Sequence, residues 1–287
     1  MKAAPFEFLR AGSIEEALDA LAQHGPEAKL IAGGQSLVPM MAMRLVRPSW
    51  LIDINDVAAL KGVRIDGQTV RVGAATRQCE VARDRALAQA MPLIGKALAW
   101  VGHVQTRNRG TIGGSLVHAD PSAEMPLAAL VLDAQLVIRD RRGEQTIAAR
   151  DFFMGPMSTA IDPTQCLVDV QLPRRGFARV GSAFDEVAIR HGDFAIVSAA
   201  AEVGFEGDRC CHASIGIGGA APTPLAFPAL AERLVGTRAD DATIDAIAAD
   251  AARECEPGND LHASADYRRH LARVLVARVL RQARAEA

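Results

Sequence analysis

The chain has 287 residues, of which 49% are hydrophobic and 23% charged, and its formal net charge is -2. This composition predicts a globular protein with a substantial core, and the near-neutral charge argues against a nucleic-acid surface or an anionic-membrane footprint. No stretch approaches the roughly 20 apolar residues that cross a bilayer, and the first residues lack the apolar core of a signal peptide. We therefore expect a cytoplasmic protein without a membrane span.

The opening segment predicts a β-α-β-like lobe. A helix is expected between Ser13 and Gly25, because Ser13 can cap it, Glu16 completes a capping box and Gly25 stops it. The elements expected after it are, in chain order, a strand over 29–32, a glycine turn, a helix over 37–46 and a strand over 50–54.

The middle segment combines hairpins with helices. Alternating runs around Asp66-Gly67 and around Arg142-Gly143 predict two β-hairpins. The other elements expected here are helices over 78–87 and 93–101, an apolar stretch over 125–132 and a strand over 166–173. The polar, glycine-bearing stretch 174–176 follows a strand that ends in proline, so we interpret it as a domain boundary.

The last segment has α+β character, with strands expected over 195–204 and 210–218 and helices over 239–253 and 264–284. The arginines of the last helix are typical of a solvated face, and a partner-subunit contact is the alternative. The five cysteines are odd in number and include no C-x-x-C pair. They predict neither a disulfide framework nor a metal site on this chain.

Two glycine pairs, Gly33-Gly34 and Gly113-Gly114, are the most informative feature of the sequence. Glycine lets a ligand approach backbone N–H groups closely, and successive free N–H groups form a concavity suited to phosphate oxygens. Two such turns predict that a diphosphate-bearing cofactor binds between them and contacts both. The alternative is a pair of ordinary tight turns.

The sequence around both turns resembles the flavin-binding medium subunit of molybdenum hydroxylases, such as aerobic carbon monoxide dehydrogenase and xanthine dehydrogenase. The blocks that carry the resemblance are 32–41 with Arg44 and 51–54, then 104–121, and more weakly 219–224. The resemblance implies an α+β fold with a two-lobed FAD-binding domain of the vanillyl-alcohol-oxidase/PCMH type. That domain would span 1–175, with lobe one over about 1–56 and lobe two over about 57–175, and a smaller α+β C-terminal domain would span 176–287.

The resemblance also implies FAD as the cofactor and a set of contacts to it. Ser36, Thr111 and Ser115 would supply hydroxyl donors, and Glu124 matches a carboxylate position near the adenosine or ribityl part, with Asp120 as the competing candidate. Lone histidines beside glycine loops are usually structural, so a flavin contact of His118 is the less favoured interpretation. The cofactor-binding residues implied are Ala32, Gly33, Gly34, Gln35, Ser36, Leu37, Val101, Thr111, Ile112, Gly113, Gly114, Ser115, His118, Asp120, Glu124, Leu167 and Val168.

The function implied is electron transfer within a complex. A molybdopterin-binding large subunit would oxidise the substrate, a small subunit with two [2Fe–2S] clusters would pass electrons to this chain, and FAD would deliver them to an external acceptor. Relatives of this kind imply a dimer of heterotrimers, and no catalytic acid, base or nucleophile is expected on this chain. The alternatives are a self-contained FAD-dependent oxidoreductase of the same fold and a cofactor-free assembly subunit.

Overall fold

Lobe one is a parallel three-stranded sheet with helices around it. The computed structural model describes residues 2–287. The elements of lobe one are β1 (Glu7–Arg10), α1 (Ile14–His24), β2 (Ala28–Ile31), α2 (Leu37–Ala42) and β3 (Trp50–Asp53), and β3 lies between β1 and β2. Strand β1 was not predicted. Helix α2 is shorter than predicted, because the chain reverses at Arg44, where φ is +58°.

The cap of α1 is confirmed with one difference. The Glu16 N–H donates to Ser13 Oγ at 3.1 Å, as a capped helix requires. The Glu16 carboxylate, however, accepts from the Gly12 N–H at 2.8 Å and not from that of Ser13. The reciprocal bond of the predicted capping box therefore reaches one residue further back.

Lobe two is built on an antiparallel five-stranded sheet in the order β4-β5-β10-β6-β7. Both predicted hairpins are confirmed, and the predicted helix over 78–87 is two short helices. The elements of this lobe are β4 (Val63–Asp66), β5 (Thr69–Gly73), α3 (Gln78–Arg83), α4 (Arg85–Ala90), α5 (Pro92–Trp100), α6 (Val104–Arg109), α7 (Ile112–His118), α8 (Glu124–Val131), β6 (Gln135–Asp140), β7 (Gly143–Ala148), α9 (Ala149–Phe152), β8 (Phe153–Gly155), β9 (Ser158–Thr159) and β10 (Cys166–Pro173).

The C-terminal domain is an antiparallel sheet in the order β11-β12-β13-β14, with two long helices on one face. Its elements are β11 (Arg179–Val187), β12 (Val197–Glu206), β13 (Arg209–Gly218), β14 (Leu225–Ala226), α10 (Pro228–Glu232), α11 (Asp241–Glu254) and α12 (Ala265–Glu286). The sequence interpretation missed β11, which directly follows the predicted boundary.

The two faces of this sheet pack on different partners. On β12, Ala199 and Ala201 belong to the core shared with α11 and α12, whereas Ala200 belongs to the core of lobe two. Side chains alternate between the faces of a strand, so Ala200 marks the face that meets lobe two. Gly216 continues this face, where a side chain would collide with Leu127 and Val131 of α8.

The arginines of α12 are largely paired within the chain. Arg268 is buried, and its guanidinium donates to the carbonyls of Ile196 and Gly219 and to Asp260. Arg278 pairs with Asp185 at 2.6 Å. The expectation of a solvated face is therefore wrong for Arg268, because its charge lies inside the domain. No helix in the described part of the chain is long and apolar enough to cross a membrane.

Candidate functional site

A cavity of about 560 Å³ lies where lobe one, lobe two and the C-terminal domain meet. Its volume is within the range of small-molecule and cofactor sites. The two predicted glycine turns line it together, from different lobes. The predicted site residues in its wall are Ala32, Gly33, Gly34, Gln35, Ser36, Leu37, Val101, Thr111, Gly113, Gly114, Ser115, His118, Glu124 and Leu167.

Three predicted site residues lie outside this wall. Ile112 is buried in the core of lobe two. Val168 packs against the core of lobe one, on the opposite strand face from Leu167, which belongs to the core of lobe two and also lines the cavity. The Asp120 carboxylate turns back on its own chain, where it accepts from the Ser122 N–H at 2.9 Å.

The first glycine turn has free backbone donors. Within the described residues, the N–H groups of Gly33, Gly34, Gln35, Ser36 and Leu37 donate to no protein acceptor. Gly34 has φ of +70°, a conformation that glycine adopts without strain. Five successive free N–H groups beside a cavity make a concavity suited to an anion.

The second glycine turn is different, and the expectation that its N–H groups are free is wrong. The Gly113 N–H donates to Ala74 O at 2.8 Å, and the Gly114 N–H donates to Thr111 Oγ1 at 3.1 Å. Thr111 is the cap of α7, so its hydroxyl accepts from one N–H group at the start of that helix and Ala74 O accepts from another. The polar groups that this turn can offer a ligand are its hydroxyls, including that of Ser115 in the cavity wall.

The reason for glycine at position 33 also differs from the prediction. A Cβ there would lie 2.8 Å from Arg109 C and 2.9 Å from Gly110 Cα, and closer still to Arg109 O. It would therefore strike the backbone of lobe two and not point toward a bound diphosphate. Gly33 lets the two lobes approach each other beside the cavity.

A hydrogen-bond network that the sequence did not reveal joins the lobes at this point. Asn55 Nδ2 donates to Ala32 O at 2.8 Å. Arg77 donates to Asn55 Oδ1 and, through its other terminal nitrogen, to Arg109 O. The Arg77 guanidinium thus holds the backbone before the second glycine turn directly and the backbone before the first turn through Asn55.

Glu124 brings a buried carboxyl group to the cavity wall. Burial raises the pKa of this carboxyl, the nearby Asp120 charge adds to the shift and the Arg107 charge opposes it, and the resulting pKa is about 7. Gln78 also lines the cavity, and its buried Oε1 has no hydrogen-bond partner among the described residues. Both side chains leave polar groups that a ligand in the cavity can satisfy.

The C-terminal domain contributes a segment that the sequence interpretation missed. Gly192, Asp193 and Phe194, in the connection between β11 and β12, also line the cavity. Trp100 stacks on His191 of this connection with ring centroids 5.4 Å apart, which fixes the segment against lobe two. A glycine beside an aspartate, His191-Gly192-Asp193, is the only local signal that the sequence offered.

Comparison with known protein families gives two matches that together cover most of the chain. Residues 4–175 match the family described as the FAD binding domain in molybdopterin dehydrogenase. Residues 182–283 match the family described as the CO dehydrogenase flavoprotein C-terminal domain.

Curated relatives are similar over nearly the full length. The chain is 39% identical to the 6-hydroxypseudooxynicotine dehydrogenase complex subunit alpha of Paenarthrobacter nicotinovorans, over 99% of this chain and 96% of that protein. It is 34% identical to the carbon monoxide dehydrogenase medium chain of Hydrogenophaga pseudoflava, over 97% and 96%. It is 27% identical to a xanthine dehydrogenase FAD-binding subunit of Escherichia coli, over 97% and 96%.

Solved structures of similar proteins superpose closely on this chain. A chain of carbon monoxide dehydrogenase from Hydrogenophaga pseudoflava superposes with a TM-score of 0.97 at 34% identity, covering 100% of both chains. A chain of quinoline 2-oxidoreductase from Pseudomonas putida 86 gives a TM-score of 0.94 at 36% identity, covering 99% of both.

Proposed function

The chain belongs to the family of FAD-binding medium subunits of molybdenum hydroxylases, and on that basis we propose that it is the electron-transfer subunit of such a complex. Its cofactor is FAD, and it is a component of an oxidoreductase. In our proposal the chain takes electrons from [2Fe–2S] clusters of a small subunit and passes them to an external acceptor. The substrate would be oxidised on a molybdopterin-binding large subunit, in a dimer of heterotrimers.

One observation carries the assignment of the site: five successive residues whose N–H groups donate to no protein acceptor line a cavity large enough for a cofactor. We propose that residues 33–37 hold the diphosphate of FAD, whose roughly two negative charges these donors can satisfy without a lysine. The Ser115 hydroxyl would approach from the second turn. The Gln78 amide and the Glu124 carboxyl would meet polar groups elsewhere on the cofactor.

The chain's own part in the reaction is placement and protection from solvent. FAD, when bound, exchanges electrons singly or in pairs, so it can connect a one-electron carrier with either kind of acceptor. Gly192–Phe194 would cover the open side of the cavity, and Val101 and Leu167 would provide apolar walls. In this proposal the FAD-binding domain ends at Arg175, and the domain that begins at Gly176 serves to close the site.

A reduction experiment tests the electron-transfer role. The purified chain is expected to be yellow, to release FAD on denaturation, and to be reduced by a matched iron–sulfur partner protein but not by candidate substrates added directly. Direct reduction by a small substrate without the partner would instead support a self-contained oxidoreductase. A colourless chain that binds no added FAD would support the assembly-subunit alternative.

A further inference from the structure

The first glycine turn is held by few contacts of its own. Within the described part of the chain, the N–H groups from Gly33 to Leu37 donate to no protein acceptor, so they do not fix its conformation. The Gly34 carbonyl accepts from the Val38 N–H at 3.0 Å, and the Gly33 carbonyl accepts from the Gln35 side chain at 3.4 Å. Both bonds are local, so contacts outside the turn set its position relative to lobe two.

Asn55 of lobe one makes a tertiary hydrogen bond at the start of the turn. Its Nδ2 donates to Ala32 O at 2.8 Å and also to the Asp53 carboxylate, and its Oδ1 accepts from Arg77 at 2.5 Å. A carbonyl and a carboxylate only accept hydrogen bonds, and a guanidinium only donates them. These partners therefore orient the Asn55 amide so that its donor end faces Ala32 O.

Arg77 joins this arrangement to lobe two beside Gly33. Its half-buried guanidinium donates through one terminal nitrogen to Asn55 Oδ1 and through the other to Arg109 O. Arg109 O is also the atom nearest to the position that a Cβ on Gly33 would take. A guanidinium presents its donors in a rigid planar fork, so Arg77 sets the distance between Asn55 and the Arg109 backbone.

The backbone on either side of Arg77 is bound to the segment that leads into the second glycine turn. The Gln78 N–H donates to Gly110 O at 2.9 Å, and the Ile112 N–H donates to Thr76 O at 3.1 Å. Arg77 therefore takes its position from the second turn, and its side chain transmits that position to the first.

We propose that Arg77 is a positioning residue for FAD. It fixes the spacing of the two glycine turns and, through Asn55, holds the donors at 33–37 where the diphosphate binds. This inference rests on the proposed placement of the diphosphate at the first turn. Arg77 is not among the residues of the cavity wall, so it acts through its partners and not by contact with the ligand. Donors that are ordered before the ligand arrives increase affinity, because their ordering is then not part of the free energy of binding.

Two substitutions of Arg77 separate its hydrogen bonds from its charge. The dissociation constant of FAD is measured with the stripped full-length chain by quenching of flavin fluorescence. Arg77→Ala removes both hydrogen bonds, so FAD should bind about 10- to 100-fold more weakly. Arg77→Lys keeps the charge but lacks the planar fork, so its affinity should stay close to that of Arg77→Ala. Wild-type affinity in either variant overturns the positioning role.

A near-isosteric change at Asn55 tests the path to the first turn. Asn55→Asp still offers Arg77 an acceptor, but a carboxylate oxygen replaces the donor that binds Ala32 O. We expect FAD to bind at least about tenfold more weakly in this variant. When Asn55→Asp is combined with Arg77→Ala, the loss should be smaller than the product of the two single losses, since both act on the same turn. Losses that multiply, or an unchanged affinity in Asn55→Asp, overturn the path through Asn55.

Arg139→Ala is the matched control, because Arg139 also joins the two lobes. It belongs to β6 of lobe two and pairs with Glu15 of α1 in lobe one at 2.9 Å, and neither residue lines the cavity. This ion pair is partly exposed, so its removal should change FAD affinity by less than about twofold. A loss equal to that of Arg77→Ala would mean that any contact between the lobes has this effect, and it would overturn the specific role of Arg77.

Melting temperatures of the apo variants separate a loss of affinity from a loss of fold. FAD titrations performed well below the melting temperature of each variant count only folded protein. A wild type that does not bind FAD counts against the proposed function. A wild type that binds FAD no more tightly than Arg77→Ala counts against this inference alone.

Discussion

Replacing Gly33 by alanine tests how the lobes meet beside the cavity. The new Cβ would lie 2.8 Å from Arg109 C and 2.9 Å from Gly110 Cα, whereas non-bonded carbons normally stay about 3.5–4.0 Å apart. The lobes must therefore part by roughly 0.7–1 Å. Arg77 resists this movement, because it holds Arg109 O and Asn55 together.

The expected magnitude follows from overpacking, which costs about 1–3 kcal/mol. In the apo chain the lobes can relax, and FAD must bring them back together, so we expect most of this cost in binding. At about 1.4 kcal/mol per factor of ten, FAD affinity falls about 5- to 150-fold. The assay is titration of FAD into the stripped chain, followed by quenching of flavin fluorescence, with the melting temperature of the apo chain recorded alongside.

Gly95→Ala is the matched control, because Gly95 lies inside α5 with open space where the Cβ would be. Alanine there is expected to stabilise the helix by about 0.5–1 kcal/mol and to leave FAD affinity unchanged. If Gly33→Ala binds FAD within twofold of the wild type and melts at the same temperature, the argument for close approach of the lobes is wrong.

Three further predictions concern other parts of the chain. Arg268→Leu should lower the free energy of unfolding by about 3 kcal/mol, since it leaves buried partners unpaired, whereas the exposed Arg273→Ala should have almost no effect in the same denaturant titration. Thr111→Val removes the cap that accepts from the Gly114 N–H and should cost about 1 kcal/mol, with Thr111→Ser restoring most of it. Burial raises the pKa of the Cys166 thiol to about 12, so peptide mass spectrometry after alkylation at about pH 8 should find Cys166 unmodified. Efficient labelling of Cys166 in the native chain would contradict its burial.

Stability should also depend on pH through Glu186. Burial raises the pKa of Glu186 to about 8 in the folded chain. Between its pKa in the unfolded chain and about pH 8, the folded chain therefore binds more protons than the unfolded chain. Stability from this group is therefore greatest at low pH and declines as pH rises through that window. Melting temperatures measured across it should show this decline in the wild type and a weaker one in Glu186→Gln. Equal slopes of melting temperature against pH in the wild type and in Glu186→Gln would contradict the burial of the Glu186 carboxyl.

The sequence predicted the elements whose signals are local. The cap at Ser13 and the hairpin turns at Asp66-Gly67 and Arg142-Gly143 are confirmed, because each depends on a few adjacent residues. Strand β11 was missed because lobe two covers one face and α12 the other, so it lacks the alternation of a half-buried strand. Helix α7 was interpreted as a turn, because Gly113-Gly114 is unfavourable in a helix by propensity.

Most of the predicted site residues line one cavity, but the sequence could not show how. Whether an N–H is free depends on distant acceptors, such as Ala74 O for Gly113. Which atoms a Cβ at Gly33 would meet depends on the backbone of the other lobe. The role of Arg77 also follows only from residues brought together by the fold. These are tertiary properties, and no local pattern carries them.

Three separately packed units contribute residues to the cavity wall, so a ligand in the cavity holds these units together. A ligand that binds only the assembled arrangement adds about 2.7 kcal/mol to folding stability when present at 100 times its dissociation constant. Flavin supply should therefore govern how much of this polypeptide persists, as well as how much is redox-active.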